Sequence, residues 1–217
     1  MTSTIGILGA GKVGTVLARL ALAAGHRVAM SGSGPALRIE LIVDVLAHGA
    51  QAMTSAEVIH EADIVVLALP LGKIGSLPVD ALVGKLVIDA TNYWEPVDGA
   101  LPDFADDPRG TSEIVAQKLP GARIVKAFSH LGYHDLDERG RPAGDSTRVG
   151  LALAGDDSDD VAEVAALVDE LGFDPVIVGP LTSGVRFQSF TPVFGVPMHR
   201  DELARLTDAH EDEPARS

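Results

Sequence analysis

The sequence contains no cysteine, which rules out a disulfide framework, a thiol nucleophile and a thiolate-ligated metal site. Positive charge is scarce. Lysine and arginine total 17 against 31 aspartates and glutamates, and a formal net charge of -14 repels phosphodiester backbones and anionic lipids. Neither nucleic acid nor a membrane surface is expected as a partner, and an anionic cofactor would have to find local positive potential. No apolar run reaches the roughly 20 residues of a membrane span. The opening MTSTIGILGAG passes straight into a strand, without the basic and long apolar regions of a secretory signal. These absences leave a soluble cytoplasmic protein acting on a small molecule as the expectation.

What is present is a regular alternation of strand and helix signals. With 217 residues, 46% hydrophobic and 22% charged, the chain can bury one sizeable core plus a small addition. The apolar run from Thr4 to Leu8 meets a glycine-rich turn. Val13, Val16, Leu17, Leu20 and Ala21 then recur at helical spacing up to Gly25, a natural C-terminal stop. A strand over 27–30, a helix over 35–48 and a short strand over 50–53 follow, and Thr54 with Glu57 forms a capping box that starts another helix. The runs from Ile64 to Leu69 and from Leu86 to Ala90 are almost wholly apolar, as strands covered on both faces of a parallel sheet must be. Residues 93–109 are acidic and contain three prolines, which predicts a surface loop.

Helical pattern resumes near Ser112, followed by a strand over 123–127 and a loop carrying His130, Tyr133 and His134. A strand over 149–154, a helix capped by Asp157 or Ser158 and running to Gly172, a strand over 175–178 and a last helix after GPLTSG complete the pattern. The alternation predicts an α/β fold: an N-terminal Rossmann doubly wound parallel sheet over residues 1–122, a small C-terminal α/β domain over 123–205 that shapes a second-substrate site, and a polar tail over 206–217.

The turn Gly9-Ala10-Gly11-Lys12-Val13-Gly14 is a complete GxGxxG placed between strand and helix, the context in which it binds a dinucleotide. Gly9 permits the tight turn, Gly11 lets the backbone approach the pyrophosphate, and Gly14 lets helix and strand pack closely. At the end of the second strand, where a carboxylate would hold the ribose hydroxyls of NAD, the chain has Ser31-Gly32-Ser33-Gly34. Hydroxyls and glycine N–H groups favour NADP there, with NAD the alternative. Arg38 either supplies charge to a 2′-phosphate or is simply a solvated helix residue.

Ligands of open α/β sheets lie beyond the carboxyl ends of the strands. Leu69-Pro70 and Ala90-Thr91-Asn92 would thus flank the nicotinamide, and Ser129-His130-Leu131 a second substrate. His130 is the candidate proton donor, or else a histidine satisfied by the fold. The four-residue spacing of His130 and His134 would suit a metal only if helical and given a third ligand, so no metal site is expected.

An ordered set of segments extends beyond the turn: TIGILGAGKVGTVLARLALAAGHRV, DATN, PGARIVKAF, AGDD, GPLTSG and SFTP. Together they resemble the F420-dependent NADP oxidoreductases and related dinucleotide-binding reductases. The resemblance implies hydride transfer between NADP(H) and the deazaflavin F420 or a related flavin-type acceptor, in an enzyme that is often a homodimer. It also implies that the segment from Ser129 through Leu131 to Tyr133, together with Thr191 and Pro192, shapes the deazaflavin side. Two further readings stay open: a reductase of a small carbonyl or imine with His130 as proton donor, and an NADP-binding module without chemistry.

Overall fold

The tetrapeptide Ile64-Val65-Val66-Leu67 shows how the sheet is built. In a computed structural model of the chain, which describes residues 2–105 and 107–208, Ile64 and Val66 pack into one core with Ile5, Ile7, Val28 and Met30. Val65 and Leu67 pack into a second core with Ala29, Val58, Val87 and Ile114. Successive side chains of a strand point to opposite faces, so a run apolar at every position needs a helix layer on each side.

Among the described residues, eight strands form one sheet: β1 (Thr4–Leu8), β2 (Arg27–Ser31), β3 (Gln51–Ala52), β4 (Ile64–Leu67), β5 (Leu86–Asp89), β6 (Arg123–Lys126), β7 (Gly150–Gly155) and β8 (Asp174–Gly179). Their order is β3-β2-β1-β4-β5-β6-β7-β8. The first six are parallel, with Ile7 opposite Met30 and Val66, and Asp89 opposite Lys126. The strand β7 runs antiparallel to β6, while β8 is parallel to β7. Helices are α1 (Lys12–Ala23), α2 (Glu40–Leu46), α3 (Ser55–Glu61), α4 (Glu95–Asp98), α5 (Pro102–Ala105), α6 (Thr111–Lys118), α7 (Tyr133–Arg139), α8 (Ser158–Glu170) and α9 (Arg200–Asp208). None is long and apolar enough to cross a membrane.

Several local expectations are met. Thr54 and Glu57 form the reciprocal capping box of α3, and the Asp157 carboxylate caps α8 by accepting from the N–H groups of Asp159 and Asp160. Others change. The helix expected over 35–48 is split into a 3₁₀ turn, Ala36–Arg38, and the short α2. The acidic segment 93–109 contains the one-turn helices α4 and α5, because Phe104 is buried and stacks on Tyr93 at 6.3 Å. Tyr133 and His134 open α7 instead of lying in a loop.

The division expected at 122/123 falls inside the sheet, because β6 pairs with β5 and a single core holds residues from both sides of it. Residues 206–208 belong to α9, with Thr207 buried, so the expected tail does not begin at 206. Its remainder, 209–217, and Asp106 lie outside the described residues.

Candidate functional site

The carboxyl ends of β1, β2 and β4 open onto a cleft of about 570 Å³ lined by the glycine turn, by residues 31–34 and by Leu69 and Pro70. The three motif glycines take distinct roles. A Cβ on Gly9 would sit 2.1 Å from the Ala68 carbonyl oxygen, and its φ of +130° is closed to other residues, so Gly9 belongs to the turn and its contact with the chain after β4. A Cβ on Gly14 would sit 2.0 Å from the Gly9 carbonyl oxygen, which fixes α1 against the strand. Around Gly11 there is open space within 4 Å. Gly11 is also the N-cap residue of the twelve-residue α1, and no side chain caps that helix. Backbone N–H groups with a favourable dipole are left to meet an anion, which is how a pyrophosphate is held. The residues fit a dinucleotide.

Ser31, Gly32, Ser33, Leu69, Pro70 and Ala10 all line this cleft. Ser31 lies in its floor, with its hydroxyl 3.1 Å from that of Ser55 and its carbonyl accepting from the Gly9 N–H. Gly32 is required because a Cβ there would meet Ile39 at 2.6 Å. Arg38 folds back over Gly34, its guanidinium 3.4 Å from where a Cβ would stand, and does not line the cleft. Six residues of the lining were not expected as site residues: Leu8, Ser55, Ala68, Lys73, Ser76 and Leu77. Three of these lie on or beside the 3₁₀ turn Leu71–Ser76 just after β4, so following the strand-end rule a few residues past Leu71 would have reached them.

The structure joins the cofactor turn to the second-substrate side. Lys12 Nζ donates to the Tyr133 hydroxyl at 3.1 Å and lies 4.8 Å above the Tyr133 ring, while Val13 packs against the core beneath. Beyond β5 and β6, Asn92 Nδ2 donates to the Ser129 carbonyl. Asn92 Oδ1 and Ser129 Oγ are buried without a hydrogen-bond partner among the described residues. Ala90 is buried between the strand ends, its N–H donating to the Leu67 carbonyl. Ser189 Oγ donates to the Tyr93 carbonyl and the Gly195 N–H to the His130 carbonyl, which lay the 188–196 segment over the same edge. There Trp94 stacks on Phe190 at 5.5 Å and on Phe194 at 6.4 Å. Phe190 is 83% exposed and holds a φ of +71°, a strained conformation for an aromatic residue at the rim of a site.

Three of the expected second-substrate residues are placed differently. His130 is 1% exposed, and its Nε2 accepts from the Ala152 N–H at 3.0 Å. That bond requires an unprotonated Nε2, and burial pushes the imidazole down to about 4, helped by the Lys126 charge and opposed by the Val193 backbone. His130 is thus a buried acceptor that braces β7, and the proton-donor expectation is corrected. It also precedes α7, so the helical metal spacing with His134 does not arise. Leu131 is a core residue. Thr191 closes a local turn, donating N–H and hydroxyl to the Gln188 carbonyl, while Pro192 is exposed beside it.

A buried polar network missed in the sequence supports these strand ends. Asp89 accepts from Ser112 Oγ at 2.6 Å and from the Thr91 hydroxyl and N–H at 2.6 and 3.0 Å. Lys126 is fully buried and donates to Ser112 Oγ and Thr111 Oγ1 at 3.0 and 3.1 Å. Burial lowers the ammonium's affinity for its proton, and the Asp89 charge opposes that.

Residues 4–93 match the family described as NADP oxidoreductase, coenzyme F420-dependent. A hypothetical protein from Sinorhizobium meliloti is 29% identical with a TM-score of 0.78, over 92% of this chain and 96% of that one. A candidate F420-dependent NADP-reductase from Arthrobacter sp. FB24 (23% identity, TM-score 0.70, 84% of this chain and 87% of that one) shares the fold. So does an imine reductase from Pseudomonas sp. (17%, 0.59, 97% of this chain and 62% of that one). The match over residues 4–93, under half of the chain, makes this N-terminal part similar to the coenzyme F420-dependent NADP oxidoreductases.

Proposed function

We propose that this protein exchanges a hydride between NADP(H) and a planar deazaflavin or related flavin-type acceptor, as a homodimer. The observation that carries the reading is the pairing of an open backbone cradle at Gly11 with a second edge that offers flat aromatic surface and hydrogen-bond acceptors. When bound, the nicotinamide C4 gives or takes the hydride. The chain's own residues do the positioning: Gly11 and the first turn of α1 hold the pyrophosphate, and Leu69, Pro70 and Ala90 wall the nicotinamide side. Asn92 and Ser129 orient polar edges, and the stack of Trp94 and Phe190 offers a flat ring face. Holding two rings at reaction distance supplies most of what such a transfer requires, and the single proton that accompanies reduction of the acceptor is exchanged with solvent, so no acid or base of the protein is obligatory.

The inward turn of His130 supports this reading over a carbonyl reductase that relies on that residue. The homodimer is supported by an uncovered apolar stripe of Leu37, Leu41 and Val45 on the first 3₁₀ turn and α2. One observation favours a second reading, the reduction of a small imine or carbonyl. The Lys12 ammonium beside the Tyr133 hydroxyl would make Tyr133 the proton source.

The deciding experiment follows deazaflavin absorbance with NADPH or NADH under saturating F420, beside NADPH oxidation with a cyclic imine. Turnover of F420 that survives Tyr133→Phe within about three-fold is the expected result, since hydride exchange draws no proton from the residue. Imine turnover abolished by Tyr133→Phe, with F420 inert, would replace the first reading by the second.

A further inference from the structure

The adenosine end of the cleft carries an observation that the glycine motif does not explain. Among the described residues, Lys73 is the only charged side chain that lines the cleft, in a chain with 31 acidic and 17 basic residues. Its position is built. Leu71 and Ile74, three residues apart in the turn Leu71–Ser76, are buried and pin one face of it. The Leu71 N–H donates to Asp98 Oδ1, the Lys73 N–H to the Pro70 carbonyl and Ser76 Oγ to the Lys73 carbonyl, at 3.1, 2.8 and 2.6 Å. Lys73 and Ser76, also three apart, are thereby turned to the cleft. Lys73 makes no ion pair among the described residues.

The opposite wall is Ser31 to Gly34, and the Ser55 hydroxyl lies between the two walls, bonded to that of Ser31. A site made of hydroxyls, glycine N–H groups and one ammonium, with no carboxylate for a ribose diol, is the complement of a phosphate monoester. Arg38 is the other cation of this region, and it lies against Gly34 and outside the lining.

We infer that Lys73, acting with the hydroxyls of Ser33, Ser55 and Ser76, is the residue that recognises the 2′-phosphate of NADP and sets the preference over NAD. The inference rests on the NADP-dependent reading above and adds the residue responsible, on the loop after β4 and not at the end of β2. Lys73 is exposed, so its replacement leaves both cores intact. The test compares dissociation constants of NADP+ and NAD+, and of 2′,5′-ADP and 5′-AMP, which differ only in the 2′-phosphate, for the full chain and for Lys73→Gln and Arg38→Gln. Lys73→Gln is expected to weaken NADP+ and 2′,5′-ADP about ten-fold, as loss of one charge-assisted contact does. It should leave NAD+ and 5′-AMP unchanged, and Arg38→Gln should have a smaller effect. A wild-type preference for NADP+ that survives Lys73→Gln, or that is lost with Arg38→Gln instead, overturns the inference and leaves the NADP-dependent reading standing. A wild-type chain that binds 2′,5′-ADP no better than 5′-AMP overturns both.

Discussion

At His130 two opposite roles turn on which way one ring faces. A histidine just after a buried strand is well placed to meet a ligand or to bond the neighbouring strand, and the Ala152 N–H decides for the second. This has a consequence for acid stability. The imidazole titrates near 6.5 in an unfolded chain and at about 4 here, so between those values the unfolded chain binds the extra proton and stability falls as pH falls. At neutral pH and above, neither state binds it and the term vanishes. Over the whole window the loss is about 3 kcal/mol. His130→Asn keeps an acceptor for the Ala152 N–H but cannot titrate. Urea unfolding at half-unit steps from pH 7.5 to 4.5 should therefore give the variant a shallower decline than wild type, whatever its lower starting stability. Parallel declines would show that His130 does not carry this proton linkage. Turnover, for its part, should show no inflection that disappears with the substitution, since the ring has no route to a substrate.

Among the elements, β5, β6 and α6 are joined by Asp89, Lys126 and Ser112, with Ser112 accepting from the lysine and donating to the aspartate. The two charges are opposite one another in the strand register and both are fully buried. Breaking such a set by removing one charge costs more than removing both, because the remaining charge has no water to return to. Asp89→Asn should cost about 3 kcal/mol of unfolding free energy, and adding Lys126→Met should recover part of it. A double variant less stable than the single by the full value of a second loss would mean that the lysine is held by its hydroxyl contacts alone.

The same elements mark what could be read from the chain beforehand. The runs at 64–67 and 86–88 announced two-faced strands because every position is apolar, and the box at Thr54 and Glu57 announced its helix because both partners lie within three residues. Lys126 was invisible for the converse reason. Its partners are 14, 15 and 35 residues away, and the Gly184 that makes room for its methylenes is farther still. The cofactor turn was legible because its chemistry lies in six consecutive residues. The adenosine wall was not, since Lys73 acquires its role only when β4 is laid beside β1 and its loop faces the end of β2.

On the scale of the whole molecule, the question is whether the dinucleotide-binding half and the remainder are separable. Ile5, Val28 and Ile88 share one core with Val125, Phe128, Leu151 and Phe173, and β6 bonds β5 on one side and β7 on the other. A chain cut after residue 122 would expose the β5 edge and leave that core without its second half, a state prone to association through the unpaired strand. The halves should therefore unfold together. Calorimetry is expected to show one transition whose van't Hoff and calorimetric enthalpies agree. NADP+ bound at the cleft should raise the whole transition, because a ligand of the native state stabilises everything that unfolds with its site. Two resolved transitions, with NADP+ moving only the first, would mean that the β6–β7 junction transmits no cooperativity. The second-substrate edge, which draws Asn92 from one half and the 188–196 segment from the other, would then be free to open while the nucleotide stays bound.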